Sequence, residues 1–284
     1  MEQIIKLENN VRHLAGIVPI AGRPLGFNMP WPDAMMPIAP DYLAVEKAAW
    51  ECVMAGCSSV WIVGYMGTIP LLRKRIGDVL LKSGDAKLAK RSWASDDSTV
   101  NVYYIPIHPK DREKKDSLGW SVLYGANRAY CLCKMISRWV IPEKFFCSFP
   151  YGITDDEFLK NNRKEITSNK QIIFSHNGKT VKDGLYLNFT FNAEDFKKAR
   201  DVVKYYALET WEGDGNIPIS HRRKTLDLKI EQIFKNLDIE NATVLECPWY
   251  HEIGSWDDYS KFIGTNIGLY RNPDFYRKLK RAEE

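Results

Sequence analysis

Apolar and polar positions along this chain fall into two periods. "LAGIVPIAG" (Leu14–Gly22) is an unbroken apolar run ending in glycine, as in a strand buried on both faces. Tyr42–Gly56 has apolar residues at helical spacing and closes on glycine, a helix with its stop signal. "SSVWIVGY" (Ser58–Tyr65) predicts a second buried strand, Thr68–Leu81 a helix and "TVNVYYIPI" (Thr99–Ile107) a third strand. Ser92–Ser98 and "HPKDREKKDS" are polar loops. Trp120–Arg138 predicts a long helix, Lys144–Ile153 a strand followed by a turn, and Asp155–Lys160 the start of another helix. Gln171–Ser175 and Gly184–Phe191 read as strands, a hairpin across "HNGKT" where Asn177-Gly178 is a turn dipeptide. Ala193–Leu208 and Thr225–Asn236 predict helices, Ala242–Cys247 a late strand and Trp256–Ile263 a short helix.

Strands and helices alternate through the first half of the chain, which predicts a parallel sheet with crossover helices. The expected class is α/β: a single Rossmann-like domain with a mixed, mostly parallel sheet flanked by helices. There is no internal repeat and no low-complexity linker. Residues 1–284 are therefore expected to form one domain, with about 165–284 as an appended part.

Composition narrows the picture. At 284 residues and 45% hydrophobic, the chain can bury a large core. The formal net charge is +4 and the pI about 8.6. That suits an anionic partner but falls short of the pI above about 9 typical of nucleic-acid domains. Arg222, Arg223 and Lys224, and a basic, aromatic tail from Arg271 to Arg281, either contact a polyanion or form a solvated surface. The six cysteines form no C-x-x-C pair and no His/Cys cluster, so they read as reduced core thiols rather than a zinc site. No basic leader precedes an apolar run, and no apolar stretch nears the roughly 20 residues of a membrane span. The expectation is a soluble, cytoplasmic protein with no membrane partner.

The chemistry concentrates in "VPIAGRPLGFNMPWPDAMMPI" (Val18–Ile38), a strand that breaks into a proline-rich loop and ends in an apolar segment. Strand, Gly/Arg loop, "PDAMMPI", a helix ending Ala-Gly and an apolar strand together resemble the sugar-nucleotide nucleotidyltransferases, which share the GT-A fold with many glycosyltransferases. That family opens with Gly-x-Gly-Thr-Arg, followed ten positions later by a lysine and a Leu-Leu-Pro-Val-like segment. Three later stretches agree in order. "SLGWSVLYGANRAY" (Ser117–Tyr130) is similar to the family's loop into a helix. "KFFCSFPYGI" (Lys144–Ile153) is similar to the strand before its metal aspartate. "YHEIGSWDDYSKF" (Tyr250–Phe262) is similar to its Asp-Ile-Gly-Thr segment.

The departures are specific. Pro19 and Ala21 stand where the family has loop glycines, while Gly22 and Arg23 remain. Asp33 stands at the place of the phosphate-neutralising lysine, Tyr151 at that of the first metal aspartate, and Glu252 at that of the second. This loop is thus not expected to activate a triphosphate as the family's loop does.

The resemblance implies a set of site residues, each with a plainer alternative. Ala21, Gly22, Arg23, Gly119, Trp120, Tyr151 and Trp256 would bind a nucleotide sugar, with the Arg23 guanidinium on the diphosphate or else in a surface ion pair. Asp33 would be a general base or bind a hydroxyl, or else cap loop amides. Glu252 would be a base or, with Asp155, Asp156 or Glu157, hold Mg²⁺ or Mn²⁺. "TDDE" is equally a helix start. His251 is a candidate acid/base residue or a packed histidine. The function so implied is a glycosyltransferase moving sugar from a nucleoside-diphosphate sugar to an acceptor hydroxyl, such as a modified base in phage DNA. The alternatives are a sugar-1-phosphate nucleotidyltransferase with a rearranged site, served by another lysine such as Lys182 or Lys229, and an inactive nucleotide-sugar-binding scaffold.

Overall fold

The computed structural model describes residues 13–22, 27–29, 31–81, 99–109, 111, 117–209 and 228–265. Its centre is an eight-stranded sheet. The strands are β1 (Leu14–Pro19), β4 (Ser59–Gly64), β5 (Val79–Leu81), β6 (Thr99–Pro106), β7 (Lys144–Cys147), β9 (Ile172–Ser175), β10 (Phe189–Phe191) and β11 (Thr243–Glu246), in the order β11-β9-β10-β7-β1-β4-β6-β5. Parallel pairing joins β7, β1, β4 and β6, and also β9 with β11; β5 and β10 run against the rest. Two small ribbons pair β2 (Pro37–Ala39) with β3 (Tyr42–Leu43), and β8 (Gly152–Thr154) with β12 (Tyr250–Glu252).

Every residue of β1, β4 and β7 is buried, as expected for strands covered on both faces, with Lys144 at the start of β7 donating to the Ile166 and Ser168 carbonyls (3.0 Å each). Helix α1 (Ala44–Met54) covers one face, with Val45, Ala48, Ala49 and Cys52 in a core shared with Val18, Ile62 and Phe146. Helix α3 (Leu118–Ile136) covers the other, packing Val122, Ala126 and Ala129 with Ile17, Val63, Phe145 and Phe189. The remaining helices are α2 (Ile69–Ile76), α4 (Asp156–Asn161), α5 (Arg163–Ile166), α6 (Ala193–Glu209), α7 (Ile230–Ile233) and α8 (Trp256–Ile263). No described helix is long and apolar enough to cross a membrane.

Four local expectations change, and the first is the helix expected over 225–236, which within the described residues is only Ile230–Ile233. The helix expected over 68–81 ends at Ile76, where Gly77 takes a left-handed φ of 89°, and 79–81 form the antiparallel edge strand β5. The helix expected over 42–56 gives up its first two residues to β3. The hairpin turn falls at Asn177-Gly178, but a 3-10 turn (Val181–Asp183) and an extended segment intervene before β10. Residues beyond 165 contribute β9, β10 and β11 to the same sheet. From β1 the chain winds out through β4 to β6, then returns to place β7 on β1's other side. The carboxyl ends of β1 and β7 thus flank the point where the winding reverses, the usual ligand crevice of open α/β sheets.

Candidate functional site

The segment after β1 is held firmly. Ile20 and Ala21 N–H both donate to the Val63 carbonyl (2.9 and 3.1 Å), and Ser121 Oγ donates to the Ala21 carbonyl (2.7 Å). The Tyr65 hydroxyl accepts from Gly22 N–H (3.3 Å) and donates to the Gly22 carbonyl (3.0 Å). Gly22 has a φ of 152°, and a Cβ there would lie 3.0 Å from the Leu118 nitrogen, so the loop abuts the start of α3. Tyr65→Phe leaves both polar groups of Gly22 without this partner. It is expected to lower stability by about 1–2 kcal/mol in urea unfolding.

Arg23 lies outside the described residues, as do Arg222, Arg223 and Lys224. Gly119 packs against Ile233, whose Cδ1 would sit 2.6 Å from an added Cβ, and Trp120 packs on the α3-side core. Asp33 opens a 3-10 turn (Asp33–Met35) and is 9% exposed. Its charge reaches the buried Tyr151, whose hydroxyl is held far above the ordinary phenol range by burial first, then by Asp33, Tyr186 and Tyr65. Tyr151 is therefore a neutral hydroxyl where the resembled family has an aspartate.

Glu252 reaches the same place from the far end of the chain. The β8–β12 ribbon sets Glu252 opposite Gly152, and Ile253 N–H donates to the Tyr151 carbonyl (2.9 Å). Tyr151 and Tyr186 have ring centroids 5.6 Å apart, and the Tyr250 hydroxyl accepts from Tyr186 N–H (3.1 Å). Tyr186 is pushed up to about 12, by burial first and then by Glu252 and Glu231. The Glu252 carboxyl is raised by burial and then by Asp258, against the pull of a hydrogen bond with Tyr250. A raised carboxyl contributes stability that is complete below the unfolded value and lost as pH rises past the folded one. Glu252→Gln is therefore expected to melt at a higher temperature than wild type at pH 8, with the difference closing towards about pH 4.

Helix α8 closes the site on the loop side. Ser255 caps it by accepting from Asp258 N–H (3.2 Å), with Asp257 and Asp258 in its first turn. Trp256 and Tyr259 pack edge-on against buried Phe27 (centroids 5.0 and 6.4 Å), and the Tyr259 hydroxyl donates to the Pro37 carbonyl (2.7 Å). These contacts tie α8 to the Pro-rich loop and leave Trp256 about half exposed. His251 packs between Trp249 and Phe262, and burial lowers its pKa.

Two of the acids expected to join Glu252 have partners of their own. Asp155 caps α4, accepting from Glu157 N–H (3.0 Å), and Asp156 pairs with buried Lys47 (3.1 Å). Among the described residues no group of three His, Cys, Asp or Glu is placed to hold a metal ion. With Tyr151 a neutral phenol, these residues do not fit a Mg²⁺ or Mn²⁺ ion held by the protein alone.

The structure thus gathers Gly22, Asp33, Tyr151 and Glu252, and adds Tyr65, Tyr186 and Tyr250, which sequence reasoning did not single out. Tyr65 immediately follows a strand end, a signal that was readable. Tyr186 and Tyr250 had none, because each reaches the site only through pairing with a distant segment.

No family model matches the chain, and no curated protein matches it. Solved structures do. A protein described as a glucose-1-phosphate thymidylyltransferase from Bacillus anthracis, in complex with sucrose, superposes with a TM-score of 0.53 at 10% identity, over 90% of this chain and 98% of that one. UDP-glucose pyrophosphorylase complexed with UDP-glucose gives 0.50 at 15% identity, and the apo form of a UDP-glucose pyrophosphorylase 0.51 at 12%; each match covers 94% of this chain and 99% of the other. Over nearly its whole length, the chain has the fold of these sugar-1-phosphate nucleotidyltransferases.

Proposed function

We propose that the crevice at the ends of β1 and β7 binds a nucleotide sugar, and that the protein is a sugar-1-phosphate nucleotidyltransferase with a rearranged site. What carries this reading is the coincidence of that crevice with the gathered site residues in a fold shared with such enzymes. It ranks above glycosyl transfer, the reading placed first from the sequence, because the matched structures are nucleotidyltransferases. In the reaction, an oxygen of a sugar 1-phosphate attacks the α-phosphorus of a nucleoside triphosphate and pyrophosphate leaves. Catalysis of that displacement is largely positioning. Glu252 accepts from sugar hydroxyls, the phenols of Tyr151 and Tyr186 donate to them, and half-exposed Trp256 offers an apolar face. Asp33 suits a hydroxyl rather than a phosphate, since its charge repels phosphate. Arg23 is the candidate for the diphosphate, and the chain from about 165 onward supplies the acceptor side.

The second reading is glycosyl transfer, in which Asp33, buried and close enough to Tyr151 to act on it electrostatically, would serve as the base for an acceptor hydroxyl. A nucleic-acid acceptor has no support beyond the basic residues near 222–224.

A thermal-shift panel of nucleotides and nucleotide sugars, with and without MnCl₂, tests both. A ligand at 100 times its Kd adds about 2.7 kcal/mol of stability. A shift with a triphosphate together with a sugar 1-phosphate supports nucleotidyl transfer. A shift with one nucleoside-diphosphate sugar and no triphosphate moves the assignment to glycosyl transfer. No shift with any of them removes both.

A further inference from the structure

Beneath the site lies a charged group that the proposed chemistry does not use. Glu51, on α1, has no exposure to solvent, and Lys47 one turn before it is 1% exposed. The Glu51 carboxylate accepts from Lys47 Nζ, from Ser148 Oγ (2.6 Å), from Thr154 Oγ1 (3.0 Å) and from Asn188 Nδ2 (3.1 Å). Lys47 also pairs with Asp156 (3.1 Å).

The placement of the three neutral donors is informative. Ser148 and Thr154 stand at the two ends of the turn that carries Tyr151. Thr154 belongs to β8, whose pairing with β12 sets Glu252, and Asn188 lies two residues after Tyr186. A buried ion pair is poor value as stabilisation alone: apolar side chains of the same volume do as well or better. A carboxylate that takes donors from its own helix, from both ends of the 148–154 turn and from Asn188, by contrast, fixes the relative positions of these segments.

We propose that Glu51, held by Lys47, is the positioning residue of this site, setting Tyr151, Tyr186 and Glu252 in register from below. The inference deepens the reading of the crevice as a nucleotide-sugar site and rests on it. Glu51 touches no substrate. Its carboxylate matters because each oxygen serves two donors, whereas an amide at that position would offer one oxygen and set its NH₂ against two of them.

The test compares wild type, Glu51→Gln and a control of matched lower stability far from the site, Val100→Ala in β6. All are measured well below their melting temperatures. The probe is UDP-glucose, titrated by calorimetry. Glu51→Gln is expected to weaken its binding about tenfold, and Val100→Ala by less than about twofold. The second readout needs no ligand: 3-fluorotyrosine is incorporated, and the ¹⁹F signals of Tyr151, Tyr186 and Tyr250 are assigned through Tyr→Phe variants. These signals are expected to move in Glu51→Gln and stay in place in Val100→Ala. If Glu51→Gln fails to fold, Ser148→Ala and Thr154→Val each remove one donor and should move the Tyr151 signal. Equal effects in Glu51→Gln and Val100→Ala, or unmoved tyrosine signals, would overturn the proposal. If wild type does not bind UDP-glucose or any nucleotide sugar, the nucleotide-sugar reading falls, and the fluorine comparison alone decides whether Glu51 positions these tyrosines.

Discussion

Gly152→Ala is expected to be the most damaging alanine substitution among the described glycines. A Cβ at 152 would lie 2.0 Å from the Tyr186 carbonyl oxygen, 2.9 Å from its carbon and 3.0 Å from Tyr250 Cε2. The first two are backbone atoms, so no rotamer change relieves the clash. The backbone on either side is pinned as well. Gly152 pairs with Glu252 in the β8–β12 ribbon, Asn188 just beyond Tyr186 is bound to Glu51, and Tyr186 N–H donates to Tyr250. Overpacking against side chains typically costs about 1–3 kcal/mol, and here the neighbours that would have to move are main chain. A loss of about 3 kcal/mol or more is expected, read as a fall in the urea midpoint. Nucleotide-sugar binding should disappear in any fraction that remains folded, because the turn carrying Tyr151 cannot keep its place against Tyr186. A variant with an unchanged midpoint would mean that the turn and the 185–188 segment are not in contact as described.

Lys47→Met is expected to cost about 3–5 kcal/mol at neutral pH, as when one partner is taken from a buried ionic group. The loss leaves Glu51 and Asp156 facing each other without a cation. Its pH dependence distinguishes it from a plain packing defect. The Asp156 carboxyl is already raised, by burial first, with Lys47 the main opposing influence. Removing Lys47 raises it further. A carboxyl whose folded value exceeds its unfolded one contributes stability that is full at low pH and lost as pH climbs through the folded value. The deficit of Lys47→Met should therefore be largest at pH 8 and shrink towards about pH 4, the ordinary carboxylate range. Urea unfolding of both proteins across that interval gives the measurement. A pH-independent deficit would show that packing of the lysine stem, not its charge, is what Lys47 contributes.

The elements that could be read from the chain alone are those whose pattern reports only core against solvent. β1 and most of β4 are apolar runs because both faces are covered, and α1 and α3 show helical spacing because each packs one stripe on the sheet. Tyr42–Gly56 and Trp120–Arg138 were accordingly placed to within a few residues. β5 was misread because Val79, Leu80 and Leu81 prolong the apolar pattern of the helix before them, and only pairing with β6 distinguishes a strand there. Gly77 was the local clue.

The candidate site divides the same way. The sequence was enough to pick out the Val18–Ile38 loop as the candidate, to show an acid where the resembled family has a lysine, and to name Glu252 as the candidate acid of the late segment. It could not tell that Asp155 caps a helix, since an acidic helix start and a metal ligand look alike until the cap is seen. Nor could it single out Glu51, which is one polar position among several on α1 and is buried because a turn 97 residues away and a segment 137 residues away both donate to it. Local pattern is set by a residue's average surroundings, apolar or wet. A site depends on pairings across the whole chain, and those exist only once the β8–β12 ribbon and the Glu51 network have closed.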